Sequence, residues 1–177
     1  MNGLDEIVAR ATSAIEGEYF QLPIYGGAPI YRERVYCYEL YHQMRAIWPS
    51  REASPYFLNG EVDKRAHVAM EAVGVNGQKP DFLVHVPGEW SGNFALIEVK
   101  SAQSARDDPR KDLQTLALFR DGPRYERGIY LIYGEEADEQ LVERICGASA
   151  NVRGAKGVEL WLHPQVGTPA FQTVAVL

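Results

Sequence analysis

The stretch FALIEVKS, residues 94–101, is an apolar run interrupted by two charged residues, Glu98 and Lys100. Its length and its aliphatic, β-branched content predict a buried strand. Alternate side chains of a strand share a face, so Glu98 and Lys100 point one way, with α-carbons roughly 6.6 Å apart, while Ala95, Ile97 and Val99 point the other. A carboxylate and an ammonium withdrawn from water are costly unless they are paired or bind something. This strand is therefore where chemistry is expected.

Immediately upstream, KPDFLVHVPG alternates, with Phe82, Val84 and Val86 on one face and Asp81, Leu83 and His85 on the other. The intervening GEWSGN reads as a loop, so strands 81–86 and 94–100 are expected to pair as an antiparallel hairpin. That pairing brings Asp81, at the start of one strand, beside Glu98, near the end of the other.

Working outward, residues 32–48 place Cys37, Leu40, Tyr41, Met44, Ile47 and Trp48 on one broad helical face, and Pro49 ends the run. Glu39 lies on the flank of that face. Residues 4–16 predict a first amphipathic helix and 21–31 a loop broken by prolines and a glycine pair. Residues 56–68 suggest two short strand pieces around Asn59-Gly60, a dipeptide suited to a turn or bulge.

Downstream, Asp108 and Pro109 are expected to cap and open a helix to about residue 119 or 120, with Lys111, Gln114 and Leu118 on one stripe. Residues 126–134 predict a fourth strand, 135–145 an acidic helix whose N-terminal acids suit the helix dipole, and 157–163 a final strand. The tail from 169 is expected to add an edge strand or pack loosely. This order predicts a three-layer α/β sandwich, a central mixed sheet flanked by helices, formed as one domain over 1–177.

Composition narrows the function. With 177 residues, 46% of them apolar, the chain can bury an ordinary core. The formal net charge of −6 argues against coating nucleic acid by bulk electrostatics, yet five acids fall within 135–143 and the remainder is nearly balanced. No membrane-length apolar run and no signal-peptide pattern is present, so the expected location is cytoplasmic. Cys37 and Cys146 lack the neighbours of a zinc or redox motif. There is no nucleophile elbow, no phosphate-binding lysine loop and no His-Glu-x-x-His.

Asp81 and Glu98 could supply oxygens to a hard divalent cation such as Mg²⁺, with a backbone carbonyl such as that of Val99 as a further ligand. Lys100 could orient an attacking water or a phosphate oxygen, and Glu39 could serve a second cation. Arg106, Arg110 and Lys111 are candidate phosphate contacts, and Tyr36, Tyr38 and Tyr41 candidate base-stacking residues. His85 and His42 read as structural.

These residues resemble the PD-(D/E)XK nuclease superfamily, the restriction endonuclease-like fold. Pro80-Asp81 matches the first half of its motif and Glu98-Val99-Lys100 the second, with 16 residues between Asp81 and Glu98. The resemblance extends over about 32–133, the N-terminal helix and C-terminal strands standing as decoration. It implies metal-dependent hydrolysis of DNA or RNA, as in restriction, repair, recombination and phage defence, with Mg²⁺ as cofactor and Mn²⁺ able to substitute. It also implies nucleic acid, foremost DNA, as partner, and action as a homodimer or beside a helicase or recognition subunit. Glu39 would be the family's helix glutamate, and Gln114 and Lys111 stand where a glutamine or lysine is often found. The pattern departs at Leu118, where a tyrosine often follows the glutamine. Glu61 and Asp63 are alternatives to Glu39 as the extra acid. A second reading is a catalytically weak module of this fold that binds nucleic acid or a protein.

Overall fold

In the computed structural model, residues 3–61 and 78–176 are described. Six strands form one sheet whose spatial order follows the chain: β1 (Phe57–Gly60), β2 (Phe82–His85), β3 (Asn93–Ser101), β4 (Arg127–Tyr133), β5 (Glu159–His163) and β6 (Phe171–Val176). The β1–β2, β2–β3 and β5–β6 pairs are antiparallel, and β3–β4 and β4–β5 are parallel. The sheet is therefore mixed, as the element order implied.

Strand alternation sorts the apolar residues between two cores. Phe82, Val84, Ala95, Ile97, Val99, Ile129, Leu131 and Tyr133 bury themselves under the N-terminal helices α1 (Leu4–Ser13), α2 (Gly17–Phe20) and α3 (Glu33–Ala46). Leu83, Leu96, Tyr130, Ile132, Leu160 and Leu162 face α4 (Ala102–Asp107), α5 (Arg110–Asp121) and α6 (Glu139–Ser149). Both parallel crossovers, β3–α4–α5–β4 and β4–α6–β5, cover that same second face, as crossovers of one hand must. The result is a three-layer α/β sandwich.

Several local expectations are corrected. Asn59-Gly60 makes no turn: both residues sit in β1, opposite Leu83 and Phe82. The second strand piece expected over 62–68 falls outside the described residues. Residues 102–107, too few to show a helical period, form a helix capped by the Ser101 side chain, which accepts from the Ser104 amide. Pro109 is the N-cap of α5 rather than its first helical residue, and Asp108 Oδ1 accepts from the Arg110 amide. The acidic helix begins only at Glu139, because Gly134, at φ 121°, turns the chain and Asp138 accepts from the Leu141 amide. The tail resolves into the edge strand β6. Among the described residues no helix is long and apolar enough to cross a membrane.

Candidate active site

The antiparallel register that pairs Phe82 with Ile97 brings Asp81 beside Glu98, on the face that carries Leu83 and Leu96. At this end of the hairpin apolar burial gives way to a polar cleft of about 420 Å³, walled by β2, β3, the first turn of α3 and one side of α5. Asp81, Glu98, Lys100 and Lys111 line it, together with Glu33, Gln78, Lys79, Asp112 and Thr115.

Asp81 is fixed by the backbone: its Oδ2 accepts a 2.8 Å hydrogen bond from the Val99 amide. Burial raises its pKa to about 6 despite that hydrogen bond, which pulls the other way. Glu98 is buried, and its pKa is held well above the usual carboxylate range, first by desolvation and then by the charges of Asp81 and Asp112. The two carboxyls are hydrogen-bonded to each other. Two acids so close and so poorly solvated share a proton rather than both ionise.

Lys100 points into the same cleft but pairs elsewhere. Its Nζ lies 3.1 Å from Glu33 Oε2 and 3.6 Å from Asp112 Oδ2. Burial lowers its pKa, yet the charges of Asp112 and Glu33 outweigh this and leave it raised, so Lys100 is an ammonium at neutral pH. Asp112 is steadied from below by the Tyr130 hydroxyl, which donates to its Oδ2 at 3.0 Å.

The other expected residues divide sharply. Glu39 is not in the cleft; it accepts from Gln43 Nε2 at 2.6 Å, and Glu33 is the α3 carboxylate that faces Lys100. Glu33 lies one helical turn before Cys37 and one more before Leu40 and Tyr41, so extending that apolar stripe towards the N-terminus points to it. On α5, Gln114 is exposed and absent from the cleft wall, whereas Asp112 and Thr115 share a buried stripe with Leu116 and Phe119. That 3-4 spacing was the available signal for both.

Arg106 is engaged with Glu136 and Asp138, and Arg110 with Asp108, so neither lines the cleft. Glu61 sits 3.7 Å from Arg34 Nε, and Asp63 falls outside the described residues. His85 Nε2 bonds Asn59 Oδ1, and His42 is exposed. Tyr36 is buried, stacked on Tyr133 and bonded to His163 Nδ1, which removes it as a base contact.

Among the described residues, no group of three or more His, Cys, Asp or Glu side chains is arranged to hold a metal ion. The donor set at Asp81 and Glu98 nevertheless fits a hard cation: both donors are carboxyl oxygens, brought side by side by the hairpin register and facing an open polar cleft. A cation bound there would replace the shared proton. No protein-family model matches the chain, and no curated protein or solved structure matches it.

Proposed function

We propose that the chain is a divalent-metal-dependent nuclease with a restriction endonuclease-like core, hydrolysing phosphodiester bonds in DNA or RNA. The observation that carries this reading is the pair of mutually hydrogen-bonded carboxyls, part-buried Asp81 and buried Glu98, facing an open polar cleft that also holds a charged lysine. Structural ion pairs neutralise themselves. This carboxyl pair does not, while Lys100 is balanced by two other acids.

Asp81 and Glu98 would hold Mg²⁺, with the Val99 carbonyl as a further ligand. When bound, such an ion supplies charge against the negative charge that builds on phosphorus oxygens and makes a bound water more acidic. The chain's own residues do the rest. Lys100, anchored by Glu33 and Asp112, is a fixed ammonium and so a hydrogen-bond donor to a phosphate oxygen or to the attacking water; it is too firmly protonated to act as a base. Lys79 and Lys111 line the same cleft and add positive charge for the backbone of the substrate. Preorganised donors of this kind act where charge develops, at no reorganisation cost during the reaction.

The test is a panel of single- and double-stranded DNA and RNA incubated with purified protein and Mg²⁺ or Mn²⁺. Cleavage that needs the metal and disappears in a folded Lys100→Ala variant is the expected result. Equal cleavage by the variant, or no cleavage of any substrate together with no thermal response to either metal, overturns the proposal and favours a binding module of the same fold.

A further inference from the structure

A second cavity, of about 330 Å³, opens beside the carboxylate cleft, and Asp81 lines both. Three aromatic side chains, Tyr38, Tyr41 and Phe82, line it. Tyr41 of α3 stacks against Phe82 of β2, with ring centroids 6.2 Å apart and planes within 14°, while Tyr38 stands 63% exposed with its ring available to solvent. Gly60 leaves the slot open: a Cβ there would meet Asp81 O at 3.6 Å and the Tyr41 ring at 3.8 Å. Among the described residues its lining includes no lysine or arginine to hold a phosphate, so the slot suits an uncharged, flat group.

Farther along α3 a third cavity, of about 300 Å³, lies between Arg45 and Trp48 on one side and Arg51 and Phe57 on the other. Arg45 and Arg51 are exposed, and neither has a carboxylate partner among the described residues, unlike Arg10, Arg34, Arg106 and Arg110. The Arg51 guanidinium rests 4.8 Å from the Phe57 ring centroid, which holds it without neutralising it. From Glu33 at the first cavity, past Tyr38 and Tyr41, to Arg45 at the third, α3 rises about 18 Å at roughly 1.5 Å per residue.

We infer that this track along α3 and β1 holds single-stranded nucleic acid, with an unpaired base in the slot beside Asp81 and a backbone phosphate between Arg45 and Arg51. The inference rests on reading the carboxylate cleft as a phosphodiesterase site. A base can enter a slot walled by rings only when it is out of a duplex, and base–aromatic stacking is tolerant of sequence. The arginines supply the phosphate contacts that position a strand without reading it.

The test is fluorescence anisotropy with a labelled oligonucleotide of mixed sequence, single-stranded or annealed to its complement, in EDTA so that nothing is cut. Single strand is expected to bind at least tenfold more tightly than duplex. Tyr38→Ala should weaken single-strand binding about tenfold, and Tyr38→Phe, which keeps the ring, should restore it. Gly60→Leu, which fills the slot, should match Tyr38→Ala. Arg45→Ala/Arg51→Ala should lower the slope of log K against log salt by about 1.4. Thermal melts confirm that each variant is folded. Equal binding of duplex and single strand, or variants that bind single strand like the parent, overturn the inference. If the variants behave as expected but Mg²⁺ produces no cleavage, the nuclease reading fails and the track stands; if duplex is cut and Tyr38, Arg45 and Arg51 are immaterial, the track fails and the nuclease reading stands.

Discussion

Asp81 reaches from the start of β2 to accept a 2.8 Å hydrogen bond from the main-chain amide of Val99, one residue past Glu98 on the neighbouring strand. The β2–β3 ladder begins at Phe82 opposite Ile97, so the carboxylate takes up a strand amide just beyond the last paired residues. One side chain thus ends a ladder and holds an acid against Glu98.

Those two roles separate by substitution. An asparagine at 81 can still accept from the Val99 amide, whereas an alanine leaves that amide with no partner at a part-buried position. Asp81→Ala is expected to cost about 1–3 kcal/mol in denaturant unfolding, and Asp81→Asn far less. Both should abolish metal-dependent cleavage and the thermal response to Mg²⁺. If Asp81→Asn is as unstable as Asp81→Ala, the hydrogen bond is not what the carboxylate contributes to the fold.

The buried acids also set a pH dependence whose sign is unusual. Asp81 is raised to about 6 from an ordinary 3.8, and Glu98 is raised well above 4.5, so the folded chain binds more protons than the unfolded one in this range. The contribution of Asp81, on the order of a few kcal/mol, is fully present below about pH 4 and is lost as pH rises through about 6, and that of Glu98 is likewise present at low pH and lost as pH rises through its own raised value. His163, whose pKa is lowered to about 4 by burial, has the opposite sign: its contribution is present above pH 6.5 and is lost as pH falls towards 4. Without metal, stability should fall as pH rises from 4.5 to 6, since two carboxyls outweigh one imidazole. Asp81→Asn/Glu98→Gln should reverse that slope, and saturating Mg²⁺ should flatten it. Melting temperatures across pH 4–8 provide the check; an unchanged slope in the double variant would sink the assignment.

Stability far from the cleft depends on different charges. Arg127 at the start of β4 makes a two-pronged contact with Glu159 of β5, at 2.7 and 2.6 Å, and reaches Asp5 of α1 at 2.7 Å. The Arg127–Glu159 pair is about four-fifths buried, so losing one partner falls between the cost of a surface pair and that of a fully buried one. Arg127→Ala should cost on the order of 2–3 kcal/mol in urea unfolding while leaving any cleavage rate per folded molecule unchanged. A variant with parental stability would show that packing, not this pair, joins α1 to the sheet.

What the sequence made legible was whatever a single period encodes. Alternation in 81–86 and 94–101 gave the hairpin, the two-faced burial and the meeting of Asp81 with Glu98, because strand register follows from the pleat. The misplacements came where two signals compete. Asn59-Gly60 has the local chemistry of a turn, but pairing with Leu83 and Phe82 overrides it. Residues 102–107 are too short for a periodic pattern, and only the Ser101 cap marks the helix. Glu39 stands beside the apolar face of α3 on the helical wheel, yet which end of a helix meets a cleft depends on the angle at which it crosses the sheet, and no periodicity carries that angle.

Glu33 and Glu39 therefore give the sharpest test of the cleft. Glu33 touches Lys100 at 3.1 Å, and Asp112 is 3.6 Å from it and hydrogen-bonded to Tyr130, so these two acids fix where the ammonium sits. Removing either charge leaves Lys100 present but less firmly placed, an effect of about 1.4 kcal/mol, which is a tenfold loss of turnover. Glu33→Gln and Asp112→Asn should each show that loss mainly in kcat, while Tyr130→Phe, acting only through Asp112, should show a smaller one. Glu39→Gln, whose parent contacts Gln43, should leave turnover unchanged. Single-turnover cleavage by the four variants decides the matter: if Glu39→Gln is the damaging change and Glu33→Gln is silent, the helix acid has been assigned to the wrong end of α3.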